Sequence, residues 1–196
     1  MSAWRFAALA ALLALLLLVA AQIDGARLDE AALSPALPGA GDAALVPALK
    51  AHLERTPRDG RGWMILARQH FAADRFDAAA RAYERALAVS RKVAQDPQVW
   101  CELADAIAMA QGGRLKGRPQ ELIDKALGLK GTHPRALEMA GSAAFENRAY
   151  ARALFYWETL LQQFGPHTAE HRELLAAVER LRRVADLAPG RGAPPG

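Results

Sequence analysis

The chain has 196 residues, with 25 lysines and arginines against 21 aspartates and glutamates, a net charge of +4, five histidines and one cysteine. A hydrophobic fraction of 52% with 45 alanines and only 7% aromatic residues excludes a disordered polymer and favours helices over a β-sandwich or barrel. One cysteine excludes a disulfide framework and a four-cysteine zinc site, and so mild a positive charge does not of itself call for nucleic acid as a partner.

The first predicted element is apolar. Residues 6–21, FAALAALLALLLLVAA, carry no polar side chain, and Trp4, Gln22 and Ile23 at the edges bring the run near the roughly 20 residues that span a bilayer. It lacks the polar stripe of a soluble core helix. Segment 1–23 is therefore expected to enter a membrane, as an uncleaved anchor or as a signal peptide cut near Val19-Ala20-Ala21. Arg5 precedes it and Asp24, Asp29 and Glu30 follow it, so the positive-inside rule places the rest of the chain outside the cytoplasm. No cysteine stands near the end of the run, which excludes a lipoprotein anchor. Residues 24–41, with two prolines and three glycines, read as a linker.

Residues 42–185 form the expected folded body. A flanking helix over about 43–55 presents Leu45, Val46, Leu49 and Leu53 on one face. The body then repeats itself. Ala67 and Gly141, Phe76 and Tyr150, Ala79 and Ala153, and Tyr83 and Trp157 are each 74 residues apart. Trp63-x-x-Leu66-Ala67 also recurs as Trp100-x-x-Leu103-Ala104. Self-similarity on this scale signals helical hairpins that cannot bury their apolar faces alone and so stack. The large residues Trp63 and Trp100 are expected to fill the space between paired helices. The small ones at Ala67, Ala104 and Gly141 let those helices approach. Three units are predicted, at about 60–93, 97–133 and 134–167. In the middle one the stretch from Gln111 to Pro119 replaces a tight turn with a longer loop. An amphipathic capping helix over about 169–185 follows, with Leu174, Leu175, Val178, Leu181 and Val184 on one face and Thr168 as its N-cap. The tail, 186–196, has three prolines and three glycines and is expected to be disordered. The predicted fold is all-α: a solenoid of about three helical hairpins with flanking helices, after an N-terminal membrane helix.

The unit length and pattern resemble the tetratricopeptide repeat (TPR). The stretches AMAQGGRL (108–115), LGLKGTHPRALEMAG (127–141) and AFENRAYARALFYWETLL (144–161) are more particular. They look like the periplasmic TPR domain of bacterial cytochrome c maturation proteins of the CcmI (CycH) type and their shorter relative NrfG. The resemblance covers roughly residues 43–185, with departures at His70, where Tyr is usual, and at Gly131, where a unit commonly closes on proline. It implies a chaperone that holds the C-terminal helix of apocytochrome c, or an apo multihaem nitrite reductase, for the haem-lyase subunits. The alternative is a scaffold of that complex which does not itself hold substrate. It further implies an inner-membrane, single-pass protein with its TPR domain in the periplasm. The first-helix positions that line the concave face of such stacks fall here on Arg61, Met64, Arg68, Phe71 and Ala72, on Gln98, Cys101, Asp105, Ala108 and Met109, and on Arg135, Glu138, Ser142, Phe145 and Glu146. Met and Phe would give an adaptable floor for an amphipathic helix, and the arginines could pair with acidic side chains or a terminal carboxylate.

Other chemistry is weakly signalled. There is no CxxCH haem-attachment motif, no Ser-His-Asp ordering and no glycine-rich phosphate loop, so neither a cofactor nor an enzyme is expected. Cys101 could accept a mixed disulfide from a substrate thiol or could simply pack. His167 and His171, four residues apart, have no third ligand nearby in sequence for a metal.

Overall fold

A computed structural model describes residues 42–186. The expected membrane segment 1–23, the linker 24–41 and residues 187–196 lie outside the described residues. Among the described residues there are nine helices and no strand: α1 (Asp42–Arg55), α2 (Gly60–Ala72), α3 (Phe76–Val89), α4 (Arg91–Ala94), α5 (Pro97–Ala110), α6 (Arg118–Leu129), α7 (Pro134–Glu146), α8 (Tyr150–Leu161) and α9 (Ala169–Asp186). No helix among them is long and apolar enough to cross a membrane.

Local chemistry fixes where these helices begin. Pro97 and Pro134 occupy first-turn positions, where a missing N–H costs nothing. The carboxylates of Asp59 and Asp96 accept from the N–H groups of Gly62 and Gln98, both at 2.9 Å. Ser90 Oγ accepts from Val93 at 3.3 Å and Thr168 Oγ1 from His171 at 3.1 Å, each supplying an acceptor to an otherwise orphaned donor. The α2–α3 and α7–α8 turns both use a non-glycine residue in the left-handed region, Asp74 (φ 55°) and Arg148 (φ 57°). These two are again 74 residues apart, so the repetition extends to backbone conformation.

The helices pair as α2–α3, α5–α6 and α7–α8, and successive pairs meet where α3 packs on α5 and α6 on α7. Helix α1 flanks the first pair and α9 covers the last. This is an all-helical TPR solenoid. The four-residue α4 was not evident in the sequence. It forms because Ser90 caps it and Val93 buries its side chain between the first two pairs.

The core is built of small contacts. Ala67, Ala79, Ala104, Ala126, Ala136 and Ala153 are fully buried. Gly141 goes further, because a Cβ there would lie 2.1 Å from Nε1 of Trp157. Its absence lets the indole lie against α7 and donate to the Glu138 carbonyl at 3.4 Å. Trp63 and Trp100 are half-buried and do more than fill space. Their indole N–H groups donate to the carbonyls of Pro57 (3.0 Å) and Ala94 (2.9 Å), each six residues upstream, and so tie one first helix to the turn before it and the other to the end of α4.

The long loop of the middle unit is pinned at several points. Gly112, Gly113 and Gly117 take φ of 78°, 81° and 85°, a region that favours glycine. Leu115 is buried, and its N–H donates to the Glu146 carboxylate of the third unit at 3.0 Å. The Gln111 amide donates to the carbonyls of Arg114 and Lys116.

Candidate functional site

The first helices of the three pairs, α2, α5 and α7, carry every residue of the expected groove. Their side chains fall into three groups. Met64 and Cys101 belong to the core, 6% and 0% exposed, and Ala108 is buried beside them. They contribute to the packing beneath the face and not to its open surface. Arg61, Ala72, Met109 and Glu146 are exposed, Met109 to 47%. The remainder are half-buried or ion-paired along the face.

Two ion-pair assemblies bridge the repeats. Arg68 of α2 grips Glu102 of α5 bidentately, Nη2 to Oε1 at 2.8 Å and Nε to Oε2 at 3.1 Å, and the Gln98 amide donates to the same carboxylate at 3.2 Å. The buried Tyr83 phenol stands behind this pair. Burial, reinforced by the Glu102 charge, raises its pKa. Arg135 of α7 reaches back to Asp105 of α5 at 2.6 Å and forward to both oxygens of Glu138 at 3.0 and 3.1 Å. Burial alone would lower the pKa of either arginine. The adjacent carboxylates outweigh it and hold both guanidinium groups firmly charged. Burial conversely raises the carboxyl pKa of Asp105 and Glu138, and Arg135 opposes that rise. The fork-on-fork pair of Arg68 with Glu102 belongs to the stronger class of charge-assisted hydrogen bond.

Glu102 was not among the expected groove residues, although a signal existed. It lies 34 residues after Arg68, about one turn short of the 37 that separate the first two units, so the two face each other on neighbouring first helices. Glu84 and Arg118, paired at 2.5 Å, have the same separation.

The apolar members are dispersed along the face. Phe71 is half-buried and meets Phe76 edge-on at 5.2 Å. Phe76 and Met109 line an open cleft of about 440 Å³ between the start of α3 and the end of α5, with Arg75 and Arg81 at its rim. Phe145 stacks on Trp157 at 6.1 Å and contacts Tyr150 at 5.9 Å, so its ring also packs against the core. Ser142 turns its hydroxyl to the Glu138 carbonyl at 3.0 Å. Glu146, exposed, is engaged with the middle loop, as described above.

The sulfur and nitrogen groups are poorly placed for chemistry. Cys101 Sγ lies 3.9 Å from His133 Nδ1. Burial, with the Asp105 charge adding to it, pushes its thiol pKa well above the usual range, which disfavours the thiolate that would react. Among the described residues no group of three His, Cys, Asp or Glu side chains could hold a metal ion.

Residues 42–171 match the family described as the cytochrome c-type biogenesis protein H TPR domain. CycH of Bradyrhizobium diazoefficiens is 32% identical over 131 residues, which cover 67% of this chain and 34% of that protein. NrfG, a subunit of the formate-dependent nitrite reductase complex of Escherichia coli O157:H7, is 23% identical over 123 residues, 63% of this chain and 61% of its own. The chain thus spans about a third of the length of the CycH relative. Among solved structures, the Sgt2 TPR domain from Aspergillus fumigatus superposes with a TM-score of 0.54 at 16% identity, over 70% of this chain and 88% of that one. That likeness concerns the fold alone.

Proposed function

We propose, for a chain that belongs to the TPR family of the cytochrome c-type biogenesis protein H, that its α2–α5–α7 face holds the C-terminal helix of an apocytochrome c and presents it to the haem-ligation complex. The chain acts as a non-catalytic adaptor. The family match over 42–171 carries the reading. The half-buried and exposed Phe71, Met109 and Phe145 along one face support it, because an amphipathic helix is recognised by apolar anchors set in a groove. The apolar run 6–21 would tether this body to the inner membrane with the repeats in the periplasm.

Titration of the full chain in detergent micelles with a C-terminal apocytochrome c helix peptide tests the proposal. Saturable binding is expected, and Phe71→Ala with Met109→Ala should weaken it about tenfold, the loss that ~1.4 kcal/mol of anchor energy represents. Absence of binding, or affinity indifferent to both substitutions, would refute the groove.

The NrfG relative favours a second reading, since it is described as a subunit of a reductase complex. The chain would then assemble haem-lyase subunits without holding substrate. Retention of co-purifying lyase subunits by a double variant that has lost peptide would favour that reading.

A further inference from the structure

We propose that the groove recognises its peptide without using the peptide's carboxylates, and that Glu102, Asp105 and Glu138 enforce this by occupying the guanidinium groups that would otherwise receive them. The inference rests on the groove reading above and specifies which chemistry that groove accepts.

The sequence pattern alone suggests the opposite, since arginines on the face of a peptide-binding stack could take an acidic side chain or a terminal carboxylate. Geometry removes that option. Arg68 commits Nε and Nη2 to the two oxygens of Glu102. Arg135 commits Nη1 to both oxygens of Glu138 and Nη2 to Asp105. Arg61 is not free either.

A carboxylate arriving on a peptide would find only the N–H groups these partners leave over, chiefly Nη1 of Arg68 and Nε of Arg135, on a cation whose charge is already matched. To take a partner's place it would break one pair for the one it gains. At Arg135 that exchange is worse than even. The Glu138 side chain is only 11% exposed, and removing the cation from a buried carboxylate leaves an uncompensated charge, which is strongly unfavourable. At Arg68 the guanidinium is half-exposed, but Glu102 is held by the Gln98 amide as well and stands against the Tyr83 phenol. Among the first-helix residues of the face, Phe71, Met109 and Phe145 are then the groups able to gain from contact. The partner this face fits is an amphipathic helix that lays down its apolar side, whose terminal and side-chain carboxylates are not taken up by Arg68 or Arg135.

One apocytochrome c helix peptide, prepared as the free acid and as the C-terminal amide, tests this on the full chain in detergent micelles. The two forms should bind with dissociation constants equal within about twofold. The near-isosteric Glu102→Gln keeps the hydrogen bond to Gln98 yet releases Arg68, and the free acid should then bind about two- to fivefold tighter than the amide, the range for a half-exposed ion pair. A free acid that binds the unaltered protein more than about tenfold tighter overturns the inference and leaves the groove reading intact. An acid-to-amide ratio unmoved by Glu102→Gln overturns the role of Glu102. Failure of both peptides to bind sinks the groove reading and this inference with it.

Discussion

Cys101 stands at a position that the repeat register assigns to the groove, yet the thiol faces inward against His133 and is 0% exposed. Burial and the neighbouring carboxylates hold it in the protonated form, whereas disulfide exchange requires thiolate and access. An aromatic disulfide reagent should therefore modify the folded chain at least about a hundredfold more slowly than the denatured one. Reaction at the rate of a free thiol would show that α5 opens readily. Register arithmetic named the helix and the approximate face for Cys101, and for Arg68 and Arg135 as well. It did not reveal that both arginines are already engaged, because that depends on carboxylates one repeat away. Opposite charges separated by about one repeat, such as Arg68 with Glu102, 34 residues on, could have been sought in the sequence alone.

At the scale of the helical pair, the fit of Trp157 against α7 depends on one missing methyl group. Gly141→Ala would place its Cβ 2.1 Å from the indole nitrogen, so the ring must move and its hydrogen bond to Glu138 must lengthen. Overpacking of a close helix contact costs about 1–3 kcal/mol, and a thermal melt should fall by several degrees. An unchanged melting temperature would mean that the α7–α8 contact yields freely. The position 74 residues earlier, in the first pair, is Ala67, which is fully buried in the same core as Tyr83, so a methyl group is accommodated there. The 74-residue offset made this pairing of small with large residues legible, since apolar periodicity and small-residue placement are written in single positions. The course of the middle loop was not legible. It is held by Glu146, a side chain 31 residues beyond Leu115, and no local pattern reports that tie. Helix α4 escaped for a related reason: four residues are too few to show a period.

Across the whole molecule, a buried and a half-buried imidazole, His70 and His133, set a dependence on pH. Burial, with Arg75, Lys50 and Arg81 around it, lowers the pKa of His70, and its Nδ1 has no hydrogen-bond partner. Burial and Lys130 lower that of His133 against the pull of Asp96. The unfolded chain therefore binds protons first as the pH falls. Their contribution to stability is complete above the ordinary imidazole value of 6.5 and is lost as the pH drops through the lower folded-state values. The raised carboxyls of Asp105, Glu138 and Glu146 act in the opposite sense, favouring the fold as the pH falls through their raised values. Urea midpoints taken at pH 7.5 and at pH 5.5 should show the loss, and His70→Tyr should diminish it; an equal loss in the variant would mean that His70 acquires its charge within the fold.

Every substantial packing partner of a helix in this stack lies one or two helices away along the chain. Its contacts are therefore local in sequence, so a growing polypeptide can complete its first hairpin before the residues of its last have been joined, and order can spread from one pair to the next without waiting for the distant end.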